Sequence, residues 1–395
     1  VGFCLAVFFH YALGVYAGKG YPYNTFLFVP VDRFSDFYRV VEANQNLNPF
    51  FGPHHMYQYP LLNFFGFLFS LMPLQFAIVV YIYIIAGFMI MACSYFIRLG
   101  TRPTNWKDVF ILSFLTSPFL YVLDRCNFDG FMFIFLTIFI YFFMNEKYLL
   151  SAFFLSLAIA MKPFPAVFLL LFVAEKKYRD AILTVASTVI ITAIILFFFK
   201  GGFVANLLAT ISISSFPDVI GESGYFSANN FVFHSMSVFT MLKVYFIETG
   251  AIQNIDMAVF SSLYVKIMAA LLIPISLYVI FVEKELWKRA AILSIIMVIF
   301  PQISGTYRLM YMFVPLFLFL KNEVPAKNDY LYTVLFGLLL IPKNYYYLPN
   351  TVTDGNAVDF SIGYPINFFA MLLILLLIIT TGMLKFKDGL EKRGA

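Results

Sequence analysis

Asp36 stands in the stretch DRFSDFYRV, just beyond the first apolar run of the chain. A carboxylate held at a membrane surface can take a proton from an attacking hydroxyl group. Asp32 lies four residues earlier and shares a face with Asp36 if the segment is helical, so two acids are candidates. The plainer reading is a solvated loop in which Arg33 and Arg39 pair with them. A second polar group, Asp124-Arg125-Cys126-Asn127-Phe128-Asp129, forms the tip of a hairpin between two apolar runs. Such a tip is ordinary for a short loop, and its depth between short spans adds weight to a functional reading. Lys162, in AIAMKPFPAVF, is an isolated cation in an apolar stretch that its prolines must break. Broken backbone of that kind is tolerated where it lines a cavity. Arg308, in QISGTYRLMYMF, has the same character, and a guanidinium there can hold a phosphate bidentately. The alternative for both cations is anchoring to lipid headgroups. Tyr59, His55 and Asn230 are further substrate-binding candidates. Neighbouring histidines such as His54 and His55 rarely converge on one ion, so no metal site is expected, and no cofactor.

These residues need a scaffold, and the composition says what kind. Of 395 residues 62% are hydrophobic and 12% charged, against about half and a quarter in soluble domains. The mean hydropathy is +0.86. The chain has 52 Phe and 26 Tyr, more aromatic surface than a soluble fold can hide. The expected fold is all-α, a polytopic transmembrane helical protein forming one domain over residues 1–395. Twelve apolar runs are expected to span, at 1–17, 75–97, 109–123, 130–144, 149–161, 164–174, 181–199, 258–282, 290–303, 309–320, 330–342 and 363–384. No basic stretch precedes the first of them, which therefore reads as a span and not as a cleaved signal. The stretch 60–73, YPLLNFFGFLFSLMP without its first residue, is too short to cross and suits an interfacial or re-entrant helix.

Charge orients the spans. If the first runs outward, sixteen of the 26 Lys and Arg fall in short cytoplasmic loops, where the positive-inside rule applies. Both termini are then cytoplasmic. Segments 18–74 and 200–257 lie outside, and so do all the candidate residues named above. The Tyr345-Tyr346-Tyr347 cluster reads as an interfacial aromatic belt. The net charge of +5 forms no stripe suited to nucleic acid. Cys4, Cys93 and Cys126 show neither a disulfide framework nor metal spacing.

An acid in the first outer loop, an interfacial helix after it and many short spans resemble the GT-C class of membrane glycosyltransferases. The chain is most similar to glycosyltransferase family 87, which contains polyprenyl-phosphate-mannose-dependent mannosyltransferases. The likeness rests on DFYRVVEANQNLNPFF, QYPLLNFF, NFDGFMFIFL, AIAMKPFPAVFLLLF and YRLMYMFVPLF, in that order. It implies transfer of a mannose-like hexose or a pentose from a polyprenyl-phosphate donor to a lipid or glycan acceptor on the outer face, with inversion. Membrane lipids and these substrates are the implied partners. By the same likeness Asp36 is the base, and Lys162 and Arg308 neutralise the leaving phosphate. Asp32 follows Pro30-Val31 and is expected at the start of the helix, as a cap. Two other readings stay open. One is a polymerase or ligase of lipid-linked glycans, which uses a pyrophosphate-linked donor and several outer arginines. The other is a lipid or solute transporter, which calls for inverted repeats and charges at mid-bilayer.

Overall fold

The computed structural model describes residues 2–16, 18, 33–51, 59–98, 106–213, 235–321, 328–343, 347–348 and 360–394. Asp32, His54, His55, Asn229, Asn230, His234 and Tyr345-Tyr346 lie outside these. Within them the fold is all-helical apart from one two-residue antiparallel ladder, in which Tyr347 pairs with Ser361 and Leu348 with Phe360.

Seventeen α-helices follow in order. The first seven are α1 (Gly2–Val15), α2 (Ser35–Asn44), α3 (Pro60–Ser70), α4 (Leu74–Arg98), α5 (Trp106–Phe114), α6 (Ser117–Arg125) and α7 (Asp129–Met144). Next come α8 (Tyr148–Met161), α9 (Leu169–Ala174), α10 (Tyr178–Phe198), α11 (Gly202–Ile213), α12 (Val238–Glu248) and α13 (Met257–Leu277). The last are α14 (Leu286–Ile299), α15 (Phe313–Lys321), α16 (Asp329–Leu340) and α17 (Gly363–Gly394). Short 3-10 turns at Phe164–Phe168, Ala251–Asn254 and Thr306–Met312, and a π turn at Tyr278–Val282, join some of them.

Prolines set many of the boundaries. Pro118 has no N–H to give the Phe114 carbonyl, so α5 stops there and α6 leaves at 49°. Pro163 does the same to α8 and forces the preceding Lys162 into extended backbone, at φ −159 and ψ 147. The break expected from AIAMKPFPAVF is therefore real. Pro60 begins α3 at a position where its missing N–H costs nothing.

Two kinds of apolar helix result. Every residue of α14 from Trp287 to Ile299 is buried, as befits a helix that is apolar all round and central. By contrast α10 and α13 turn Ile182, Val189, Ile194, Val259, Leu263 and Ile273 outward. Such a surface is stable against lipid, not water. The protein is a membrane protein. Four helical stretches are long and apolar enough to cross: Leu74–Ile97, Tyr178–Phe198, Met257–Val282 and Gly363–Lys387. The bent pair α5–α6 makes a fifth if it counts as one span. The other apolar runs, expected to bring the number to twelve, fold in the described residues as helices below spanning length. Apolar run length overstates helix length wherever a proline or a turn interrupts the run.

The two ends of the bundle carry different charges. At one end Arg289 meets Glu175 at 2.6 Å, while Lys288 and Lys385 share Glu285 at 2.7 and 3.1 Å. The helices α7 and α8 form an antiparallel hairpin leading away from this end. It brings Asp129, at the start of α7, beside Lys162, just past the end of α8.

Candidate active site

α2 carries Asp36 in its first turn, where a carboxylate is favoured by the helix dipole. The buried residues Phe37, Val40, Val41 and Asn44 recur at helical spacing and seat one face of α2. Phe37 is fully buried and stacks on Phe128 with ring centres 5.7 Å apart and planes 14° apart. It also meets Phe69 and Tyr81 edge-on. Against α3, Gly66 leaves room for α2. A methyl group there would lie 2.6 Å from a Val40 methyl and 2.7 Å from the Asn44 amide. The residue next to Asp36 thus fixes the helix that aims it.

Helix α2 begins later than expected. Its N-cap is Phe34, in left-handed backbone at φ 60 and with no side-chain cap. Asp36 therefore lies in the first turn of α2, while Asp32, expected as its cap, falls outside the described residues. The Phe34 N–H donates instead to the Asp124 carbonyl at 2.8 Å, tying the start of α2 to the end of α6. Cys126, which ends α6, is also left-handed, at φ 46. Left-handed backbone is uncommon outside glycine and clusters where a site must be aimed. Phe34 and Cys126 each lie just ahead of a polar group of the site, whereas Leu47, Glu146 and Lys176 are left-handed in turns elsewhere.

Asp36 pairs with Arg125, not with Arg33 or Arg39. Arg125 Nη2 donates to Oδ1 at 2.6 Å, and Asn127 Nδ2 donates to Oδ2 at 2.6 Å. Each carboxylate oxygen keeps a second lone pair. Arg33 lies 3.8 Å from Asp124 instead. Asn127 continues the chain of contacts, since its Oδ1 accepts the Asp129 N–H at 2.9 Å. Asp129 is fully buried, a costly place for a carboxylate without cations. Lys162 donates to its Oδ1, and Arg308 Nε lies 3.8 Å from its Oδ2.

Arg308 comes in on the 3-10 turn 306–312, which rests on α6 and α7. Its guanidinium lies over the Phe164 ring, 4.6 Å from the centre. Although Arg308 is 8% exposed, its Nε and Nη1 have no hydrogen-bond partner among the described residues. On the same segment Ser304 Oγ and Thr306 Oγ1 are also buried without hydrogen-bond partners among the described residues. Tyr59 and Tyr307 feel both Arg308 and Asp129. Burial first, with the Asp129 charge adding, holds both phenols above their ordinary value and keeps them protonated.

Asp36, Arg125, Asn127, Asp129, Lys162 and Arg308 therefore meet in one cluster, with Tyr59 beside it. Asp32, His55 and Asn230 fall outside the described residues. Sequence reasoning missed Tyr81, whose hydroxyl donates to the Asn127 carbonyl. It also missed Gly130, where a methyl group would lie 2.7 Å from the Tyr81 hydroxyl and 2.9 Å from Ile85. The position of Gly130 directly after Asp129, inside a helix, was the available signal. Gly130→Ala should destabilise the protein by about 1–3 kcal/mol through overpacking. Tyr81→Phe should relieve part of that loss. Thermal unfolding in detergent of both single variants and the double checks this, and additive losses would sink it.

No curated protein matches the chain. The model of glycosyltransferase family 87 matches residues 57–301. That stretch contains Tyr59, Arg125, Asn127, Asp129 and Lys162, while Asp36 precedes it and Arg308 follows it. Since the match takes in more than half of the 395 residues, the chain belongs to glycosyltransferase family 87.

Proposed function

We propose that this glycosyltransferase moves a mannose-like hexose or a pentose from a polyprenyl-phosphate donor to a lipid or glycan acceptor. The observation that carries the reading is the buried Arg308 guanidinium, with two of its nitrogens unpartnered among the described residues. It is set beside Lys162 and one asparagine away from Asp36. Buried donors without partners are costly, so they point to a ligand that completes them. A phosphate oxygen fits a guanidinium edge.

The reaction follows from the two halves of the cluster. Asp36, held by Arg125 and Asn127, takes the proton of the acceptor hydroxyl. The freed oxygen attacks the anomeric carbon from the face opposite the phosphate, and the carbon inverts. The bond from that carbon to the phosphate oxygen breaks, and the lipid phosphate leaves with the electron pair. Arg308 and Lys162 meet the charge that develops on it, the kind of electrostatic stabilisation that most lowers such barriers. The bundle crosses the membrane several times, with the cluster facing outside. The basic turn that holds Lys176 and Lys177 and the start of α14 with Lys288 and Arg289 lie at the other end, in keeping with the positive-inside rule.

Reconstitution tests donor and side together. Sealed right-side-out vesicles carrying the protein and a labelled polyprenyl-phosphate mannose are given an impermeant glycan acceptor from outside. Labelled acceptor and free lipid phosphate are expected in equal amounts. Product formed only after the vesicles are opened would overturn the orientation. No product from any polyprenyl-phosphate sugar would overturn the donor.

A further inference from the structure

Among the described residues the cluster brings three cations, Arg125, Lys162 and Arg308, against two carboxylates, Asp36 and Asp129. The pair Arg33–Asp124 beside it is neutral. The cluster is thus one positive charge in excess, and Asp129 is what keeps it from two. Its carboxylate is fully buried and divided between the two cations assigned to the phosphate. No water-facing surface shields it, so its charge acts on a neighbouring phosphate at low dielectric.

We infer that Asp129 sets the charge preference of the phosphate pocket, favouring a singly charged phosphodiester over a doubly charged lipid phosphate. The inference rests on the reading of Arg308 and Lys162 as phosphate ligands. Its chemistry concerns turnover. The donor is a phosphodiester with one negative charge. Breaking the bond from the anomeric carbon to oxygen leaves a monoester that carries about two at neutral pH, while the acceptor's proton passes to Asp36. The substrate neutralises the pocket, and once Asp36 has passed its proton to solvent the product overfills it by one charge. Asp129 then acts through Lys162 and Arg308 as a specificity-setting and positioning residue that favours release of the spent lipid. The same count sets pyrophosphate-linked donors at a disadvantage.

The test uses two probes with the same tail, farnesyl phosphate and its methyl phosphodiester, bound at pH 8 to the full chain in detergent. The quantity read is the ratio of their dissociation constants. Asp129→Asn should tighten farnesyl phosphate relative to the diester by tenfold or more. Asp129→Glu, which keeps the charge, should leave the ratio near that of the native protein. Lys162→Gln should move it the opposite way, which keeps the test decisive if the Asn variant does not fold. A ratio within about threefold of native in both Asp129→Asn and Lys162→Gln, with both probes still bound, overturns the inference and leaves the phosphate site standing. Binding of both probes that is unaffected by Arg308→Gln, or no binding at all, overturns the site reading as well.

Discussion

Asp36→Asn should lower sugar transfer by about 10²–10⁴-fold, the usual cost of losing a general base, while the protein stays folded and still binds donor. The amide has the shape of the carboxylate and cannot take a proton. The helix that carries it is held elsewhere, by the aromatic contacts of Phe37 and the buried face through Asn44. The substitution also turns an amide N–H toward a donor. Arg125 can still give to the new carbonyl oxygen, but Asn127 Nδ2 loses its acceptor while its Oδ1 stays engaged with Asp129. A small loss of stability is therefore expected beside the large loss of rate. Asp32→Asn should keep measurable turnover, since the acid in the first turn of α2 is Asp36. Transfer from a polyprenyl-phosphate sugar, with donor binding followed in parallel, separates the two variants. Full activity in Asp36→Asn would refute the assignment.

Arg308→Gln comes next in size. If the guanidinium meets charge that grows as the phosphate leaves, its loss should lower kcat/KM by about 10²–10³-fold, the range seen when a donor to a developing anion is removed. Most of that should fall on kcat, because an interaction made in the transition state leaves KM little changed. Arg308→Lys should recover only part, since an ammonium keeps the charge and loses the planar fork as well as the stacking on Phe164. Steady-state kinetics with donor and acceptor varied separately measures this split. A loss within about threefold, or one confined to KM, would show that Arg308 binds the ground state only or stands apart from the reaction.

Lys162, Arg308 and the hairpin 124–129 stand out in the sequence because charge is rare in apolar surroundings and costly unless something repays it. That same cost draws them together in the folded chain. The family was legible for a related reason, as a string of short landmarks in fixed order. Pairing was not legible. Asp36 and Arg125 are 89 residues apart, and nothing local distinguishes Arg125 from Arg33 or Arg39 as a partner. Nor could the cap at Phe34 be read, since left-handed backbone at a phenylalanine runs against every turn preference. The bend at Pro118 was not legible either, for the apolar run 109–123 reads as one span and holds two helices. Hydropathy averages over such a break; hydrogen bonding does not.

The inner helices α7 and α14 have 16 and 14 residues, whereas the outward-facing α10 and α13 have 21 each. At 1.5 Å per residue the interior is about 21–24 Å tall and the perimeter about 31 Å. The perimeter matches the roughly 30 Å of a bilayer's hydrocarbon layer, and the interior falls short of it. Standing across a membrane, such a bundle is dished. The polar boundary of the bilayer would sink locally over such a depression, toward the charged cluster. An amphiphile drifting in from the side can then present its headgroup to Arg308 with its tail still among the acyl chains. The depth of the dish is fixed by the protein and the level of its rim by the surrounding lipid, so bilayer thickness becomes a control on substrate access.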